Sequence, residues 1–191
     1  EEDGPEVKAL CAAAKDAART VLGLAIAPAD MPLVVPSQDA GPVIDPTFPP
    51  EWGPAPHVSI AHTGIRALAM AADPARYAGV GVDLEQIAPR TQAFLATAFS
   101  PQERALVQAL PEGQARDTCA TRIWCAKEAV GKSFGGGLAH ALDRFEVQGD
   151  ALGDTAVIVR DLSQNKDIPV TAMGELAPGL VAAIVLRSHD P

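Results

Sequence analysis

The pentapeptide Gly81-Val82-Asp83-Leu84-Glu85 is the stretch that decides most about this chain. It has the alternation of a β-strand, in which residues i and i+2 point to the same face. Asp83 and Glu85 would therefore present two carboxylates side by side, while Val82 and Leu84 face the core. Two like charges that close repel each other unless a cation lies between them. The pattern fits a site for Mg²⁺, which prefers oxygen ligands, and it also fits a strand end whose acids face water.

A second segment reads Trp124-Cys125-Ala126-Lys127-Glu128-Ala129-Val130-Gly131-Lys132. On a helix Trp124, Glu128 and Lys132 fall near one stripe, with Lys127 one step away. A carboxylate flanked by two lysines suits both a metal ion and a phosphorylated ligand. A surface Glu–Lys pair explains the same residues without any ligand.

The same region overlaps the relaxed pattern of a phosphate-binding loop, Ala126 to Ser133. Such a loop needs glycines that let backbone N–H groups wrap a phosphate after a strand. The interior Lys-Glu-Ala-Val has strong helix-forming propensity instead. We therefore expect a continuous helix here, and a phosphate-loop nucleotide hydrolase requires the opposite.

A third candidate is Val58-Ser59-Ile60-Ala61-His62-Thr63, a predicted strand that runs into a turn at Gly64. His62 is placed to donate a hydrogen bond to a phosphate, although a turn histidine bonded to the backbone is the simpler explanation. Ser100 and Glu103 have the spacing of a helix capping box, which explains both without further chemistry.

The rest of the chain predicts an α+β fold with a Pro-rich surface excursion over residues 28–56. Helices are predicted over residues 6–23, 91–98, 101–110 and 115–134. Strands are predicted at residues 33–35, 57–61, 67–71, 80–84, 145–148, 156–159, 170–173 and 180–186.

Composition excludes several classes of protein. The 191 residues carry 15 basic and 24 acidic side chains, a net charge of −9, which argues against a nucleic-acid binder or a binder of anionic membranes. No apolar run approaches the roughly 18 residues of a transmembrane helix. Three cysteines, Cys11, Cys119 and Cys125, are an odd number without CxxC spacing, so we expect reduced thiols and a cytoplasmic protein.

Taken in order, four segments resemble the motifs of the 4′-phosphopantetheinyl transferases: S-I-A-H-T at 59–63, G-V-D-L-E at 81–85, F-S-P-Q-E-R at 99–104 and W-C-A-K-E-A-V-G-K at 124–132. The resemblance is closest to the larger, monomeric kind that serves peptide, polyketide and siderophore synthases. It extends over roughly residues 6–186, with the specific motifs between Ser59 and Lys132.

This resemblance implies an α+β fold of two pseudo-symmetric halves, each a small antiparallel sheet packed on a helix. Coenzyme A would bind in the cleft between the halves. The first half would span about residues 6–74 and the second about residues 78–188, and together they would form one catalytic unit over residues 1–191. We expect a monomer, or a domain of a larger synthase, and not a trimer.

The resemblance also implies site residues. Those matching Mg²⁺ ligands, with Mn²⁺ as an alternative ion, are Asp83, Glu85 and Glu128. Positions near the pyrophosphate or another phosphate of coenzyme A are matched by Lys127, Lys132, Ser59 and His62. Glu103 matches an acidic position near the metal, and Arg19 is the best candidate for the 3′-phosphate.

The implied reaction moves the 4′-phosphopantetheine arm of coenzyme A to a serine of an acyl or peptidyl carrier protein and releases adenosine 3′,5′-bisphosphate. Glu128 is the expected proton acceptor and Lys132 the second catalytic residue. One departure is Asp39-Ala40-Gly41-Pro42, which lacks the lysine that family members often carry before the histidine motif. That departure keeps open a non-catalytic module of the same fold that only binds carrier proteins within a megasynthase.

Overall fold

The structure is a computed structural model, and it describes residues 12–17, 20, 33–34, 43–44, 48–64, 66–138, 142–149 and 157–189. Residues 12–17 are helical and are called α1. The other elements, in chain order, are β1 (Leu33–Val34), β2 (Val43–Ile44), a 3₁₀ turn (Pro50–Trp52), β3 (His57–Thr63), β4 (Arg66–Ala72), β5 (Gly79–Gln86), α2 (Gln92–Ala98), α3 (Pro101–Gln108), α4 (Gln114–Ser133), β6 (Phe145–Gln148), β7 (Ile158–Asp161), β8 (Lys166–Pro169), β9 (Ala172–Ala177) and β10 (Leu180–Arg187).

All strand pairs are antiparallel and form small sheets, so the predicted α+β class is confirmed. The strands form the sheets β1–β2, β3–β4, β5–β10–β9 and β6–β7–β8. In the first sheet of three strands, β10 lies between β5 and β9, with Asp83 opposite Ala183.

The main core lies between α4 and the β5–β10–β9 sheet. It includes Ile123 and Val130 of α4 and Val181, Ala183 and Val185 of β10, all buried. The opposite face of this sheet presents a second apolar cluster, which joins it to β3 and β4: Val82, Leu84, Leu180, Ala182 and Ala61. The β5–β10–β9 sheet is thus covered on both faces.

Two glycines of β5 set how closely α4 approaches the sheet. A Cβ at Gly79 would lie 2.1 Å from the carbonyl oxygen of Ser133, and a Cβ at Gly81 would lie 1.8 Å from that of Ala129. Both distances are far inside van der Waals contact, so any larger residue would push the helix away. Because side chains alternate along a strand, the next two residues on this face are Asp83 and Glu85.

A buried hydrogen bond also links β3 to β5. The hydroxyl oxygen of Ser59 accepts a hydrogen bond from the backbone N–H of Val82 at 3.0 Å. This donor would otherwise be unpaired at the edge of β5, where β10 pairs with the other side of the strand. The other face of β3 and β4 packs with α1 in a smaller cluster that includes Ala14, Ala71, Val58 and Ile60.

The predicted elements differ from the structure in a few places. The strand β8 was not predicted. Of residues 170–173, predicted as one strand, residues 172–173 begin β9, and residues 170–171 connect β9 to β8. β7 begins at Ile158, later than predicted. Most of the predicted helix 6–23 lies outside the described residues, as does Arg19.

Residues 126–133 lie within the continuous helix α4, so the phosphate-loop alternative is excluded. Cys119 and Cys125 are buried and free, whereas Cys11 lies outside the described residues. Burial first, and then the charge of Asp83, raise the pKa of the Cys125 thiol well above its ordinary value, so it packs as a neutral group. Within the described residues, no helix combines the length and apolarity needed to cross a bilayer.

Candidate active site between β5 and α4

Asp83 is the centre of the site. It follows Gly81 on the β5 face that meets α4, and it is only 5% exposed. Its Oδ1 accepts a hydrogen bond from Lys132 Nζ at 2.7 Å. Its Oδ2 is buried and has no hydrogen-bond partner among the described residues. A buried carboxylate oxygen without a partner is costly, and it marks a place where a donor or a cation would be stabilising.

Glu85 lies on the same strand face as Asp83, but both of its carboxylate oxygens already have partners. Its Oε1 accepts a hydrogen bond from the Trp124 indole N–H at 3.0 Å, and its Oε2 pairs with the Arg90 guanidinium at 2.8 Å. The guanidinium of Arg90 lies 5.1 Å from the centre of the Phe94 ring, which stacks edge-on against Trp124. The sequence pattern predicted the shared face of the two acids but not their cationic partners.

Glu128 lies on α4 close to both acids. Burial first, and then the negative charge of Asp83, raise the pKa of Glu128 from 4.5 to about 7, and Glu85 adds to the shift. Lys132 and a hydrogen bond from the Leu138 backbone N–H oppose it. Both Asp83 and Glu85 act on Glu128 with the sign expected of neighbouring negative charges.

The carboxylates do not form a ready-made metal cage. Among the described residues, no group of three His, Cys, Asp or Glu side chains is arranged to hold a metal ion. Their nearest cations are instead Lys132 on Asp83 and Arg90 on Glu85. The unpartnered Oδ2 of Asp83 and the repelled carboxyl of Glu128 do fit a divalent cation, whereas Glu85 would first have to release Arg90.

A cavity of about 310 Å³ opens beside this group and shares Lys132 with it. Its lining includes three basic side chains and no acidic one: His57, Lys132 and Arg187 are joined by Pro56, Val58, Ala78, Gly79, Val80, Ser133, Phe134 and Gly135. A concave surface with this charge favours an anionic ligand. His57 and Arg187 were not singled out from the sequence, because they lie outside the motifs.

The wall of the cavity near Arg187 is well fixed. The Arg187 guanidinium donates to the carbonyl oxygen of Ala78 at 2.7 Å and lies 4.4 Å from the centre of the Phe134 ring. Arg144 lies over the same ring at 4.5 Å and pairs with the buried Asp161 at 2.6 Å. These contacts join β10, the end of α4 and the β6–β7–β8 sheet around the cavity.

Lys127 and Glu103 lie elsewhere, which corrects their expected places near the pyrophosphate and the metal. Lys127 is 1% exposed, and its ammonium donates to Glu103 Oε2 at 2.9 Å and to the Ala98 carbonyl at 2.7 Å. Glu103 is fully buried and also accepts from the backbone N–H groups of Ser100 and Val147, both at 2.8 Å. Both Glu103 oxygens and the Lys127 ammonium have hydrogen-bond partners, so the pair links α2, α3, α4 and β6.

Ser59 and His62 are not brought together either. They are three residues apart on a strand, so they point to opposite faces. Ser59 is buried against β5, whereas His62 is exposed. Neither is among the described residues that line the cavity; His57, two positions before Ser59, takes that place.

A comparison of sequences identifies the family of this chain. A model of the 4′-phosphopantetheinyl transferase superfamily matches residues 79–184, more than half of the chain and the part that contains β5 and α4. The chain therefore belongs to the 4′-phosphopantetheinyl transferase superfamily, a superfamily of transferases.

Two solved structures are similar to part of this chain. Holo-[acyl-carrier-protein] synthase from Neisseria meningitidis is 20% identical, with a TM-score of 0.45, over 60% of this chain and 99% of that chain. The Thermotoga maritima holo-[acyl-carrier-protein] synthase is 17% identical, with a TM-score of 0.40, over 59% of this chain and 65% of that chain. No curated protein matches this chain significantly.

Proposed function

We propose that this protein transfers the 4′-phosphopantetheine arm of coenzyme A to a serine of an acyl or peptidyl carrier protein and releases adenosine 3′,5′-bisphosphate. The observation that carries the proposal is the buried, half-partnered carboxylate of Asp83 beside Glu128 and Lys132, next to a basic cavity. Membership of the transferase superfamily supports the same reaction.

The basic cavity supports binding of a phosphate-rich substrate. Coenzyme A carries a pyrophosphate and a 3′-phosphate. Lys132 and Arg187 offer positive charge, and all three residues, including His57, offer N–H donors that phosphate oxygens need. We assign these three residues to the nucleotide end of coenzyme A. Arg19, outside the described residues, and His62 on β3 stay as predictions for the same ligand.

A divalent cation, Mg²⁺ or Mn²⁺, would be held by Asp83 and Glu128, with Glu85 as the third predicted ligand. When bound, it would supply positive charge to the pyrophosphate and so favour departure of adenosine 3′,5′-bisphosphate. The residues of the chain position the carboxylates: Gly81 lets α4 approach, and β5 holds Asp83 under it.

The proton of the reacting serine needs an acceptor. As the serine oxygen attacks phosphorus, its P–O bond forms, the bond to adenosine 3′,5′-bisphosphate breaks, and the serine proton goes to a base. Without a metal, burial and the charge of Asp83 raise the pKa of Glu128 to about 7; a cation bound beside it would lower that pKa, so the carboxylate would be ionised and able to accept the serine proton. Lys132 would stabilise negative charge on the phosphate oxygens.

The partner, the oligomeric state and the cellular location of this chain are proposed from its motifs. The chain would act as a single unit of two halves, about residues 6–74 and 78–188, in the cytoplasm, as a monomer or as a domain of a larger synthase. Because the chain has a net charge of −9, an acidic carrier protein would be repelled at long range. Apolar docking contacts or a covalent tether would overcome that repulsion.

The test is mass spectrometry of a purified carrier protein incubated with this chain, coenzyme A and Mg²⁺. The expected result is a mass gain of one phosphopantetheine, absent when the acceptor serine of the carrier is replaced by Ala. A carrier that stays unmodified with either Mg²⁺ or Mn²⁺ would contradict the proposal.

A second candidate is a carrier-binding module without catalysis. The absence of a preformed group of three metal ligands among the described residues favours it, as does the sequence at residues 39–42. The unpartnered Oδ2 of Asp83 and the raised pKa of Glu128 favour the enzyme, because a cation would stabilise both carboxylates. Calorimetric titration with coenzyme A distinguishes them, because only the enzyme requires it to bind.

A further inference from the structure

We propose that Lys132 is an internal counter-ion of Asp83, so that an anion in the basic cavity and a divalent cation at Asp83 each strengthen binding of the other. The identities of the two ligands rest on the proposed function. The exchange itself concerns only the contacts of Lys132 and is tested by binding alone.

Lys132 is placed between two partners. Its Nζ lies 2.7 Å from Asp83 Oδ1, and Lys132 is also one of the residues that line the basic cavity. Its side chain is 27% exposed, so it borders solvent, and a lysine has a flexible four-carbon stem. Lys127, five residues earlier on the same helix, is 1% exposed and held by two strong acceptors.

The two partners of Lys132 compete for one positive charge. Asp83 has one oxygen bonded to Lys132 and one without a partner among the described residues. A cation arriving at that free oxygen meets the positive charge of Lys132 on the same carboxylate, and like charges repel. An anion in the cavity gives Lys132 a second acceptor, which weakens its hold on Asp83 and frees that carboxylate for the cation.

Coupling of this kind is reciprocal. If an anion raises the affinity for the cation by some factor, the cation raises the affinity for the anion by the same factor. The exchange would make the site assemble in the presence of both ligands, while the ligand-free protein keeps its buried carboxylate neutralised by its own lysine.

The experiment uses Mn²⁺ as the probe, with the free ion measured by electron paramagnetic resonance, and the full chain with and without adenosine 3′,5′-bisphosphate. For the unchanged protein we expect the nucleotide to tighten Mn²⁺ binding by about fivefold or more. For Lys132→Met we expect tighter Mn²⁺ binding without nucleotide, weaker nucleotide binding, and a coupling factor reduced by about fivefold or more.

Two controls separate exchange from a general charge effect. Lys166→Met removes a lysine charge on β8, and it should leave Mn²⁺ binding unchanged. A long-range effect of net charge is screened at high salt, whereas competition at a buried carboxylate is screened much less. The tighter Mn²⁺ binding of Lys132→Met must therefore persist at high salt. If the Met variant does not fold, Lys132→Gln must show the same tighter binding.

The proposal is overturned if Mn²⁺ binds Lys132→Met no tighter than the unchanged protein, or if the gain disappears at high salt. Failure of the proposed function looks different, since a carrier protein would then stay unmodified whatever the metal affinities are. The two results can be read independently.

Discussion

At the scale of single residues, Glu128 illustrates how position sets chemistry. Its carboxyl is partly buried and faces two other acids, so its pKa is raised from 4.5 to about 7. In the unfolded chain it loses its proton near 4.5. Between those two values the folded protein binds more protons than the unfolded one, and the contribution of Glu128 to the free energy of unfolding falls as pH rises.

We therefore expect Glu128→Gln to be more stable than the unchanged protein above pH 7, with the difference shrinking toward pH 4.5. The reason is that the amide stays neutral at every pH. Urea unfolding across this range measures it. Glu112→Gln, at an exposed position, is the control and should keep the original pH dependence. Parallel profiles for Glu128→Gln and the unchanged protein would contradict the assigned pKa.

The two lysines of the α4 motif offer a matched pair of variants. Lys127→Met leaves Glu103 buried without its cation, so it should lower the free energy of unfolding by about 3–5 kcal/mol. Lys132→Met leaves Asp83, which is also buried, without its cation, so it should lower stability too, and it alone should impair transfer. Chemical denaturation and carrier modification measured on both variants test the distinction, and equal transfer by the two folded variants would argue against it.

At the scale of elements, the close contact of β5 with α4 depends on glycine. Gly81→Ala places a methyl group 1.8 Å from the Ala129 carbonyl oxygen, so α4 must shift. We expect a loss of about 1–3 kcal/mol in unfolding free energy, or more, together with reduced transfer. Gly174→Ala on β9 is the control, since a Cβ there meets nothing within 4 Å. Similar losses in the two variants would contradict the assignment of the loss to the contact between β5 and α4.

Local patterns predicted these elements unevenly. The strand at residues 145–148 and the helices around residues 92–133 follow clear hydrophobic periods, and the structure has them within about three residues. β8 was missed because only Ile168 of its four residues is buried and Pro169 ends it. Such a strand is defined by its pairing with β7, which is not visible in its own sequence.

At the scale of the whole molecule, the sequence period explains which of the predicted site residues share a face of β5 or α4. Asp83 and Glu85 share a strand face, and Glu128 and Lys132 share a helix face, so local rules found them. Lys127 lies 100° from Glu128 around the helix, and that turn directs it into the core, against Glu103. His57 and Arg187 depend on how distant elements assemble. Because side chains alternate along a strand, His57 shares a face with Ser59. That shared face was the one sequence signal that pointed to His57 as a site residue.

Ser59 tests how β3 and the sheet beyond it are joined. Ser59→Ala leaves the Val82 N–H buried without its acceptor, and we expect a loss of about 1–3 kcal/mol in unfolding free energy. Because Ser59 does not line the cavity, the KM for coenzyme A should be unchanged in the folded variant. A raised KM with unchanged stability would restore the phosphate contact first expected for this residue.

The most direct test of the account is carrier modification by Asp83→Asn, compared with Asp167→Asn at an exposed ion pair on β8. Asparagine keeps the shape of Asp83 but removes the charge that holds Lys132 and would hold a cation. The account predicts a loss of transfer on the order of 100-fold or more, with the fold retained, and full activity for Asp167→Asn. Full transfer by a folded Asp83→Asn variant would contradict it.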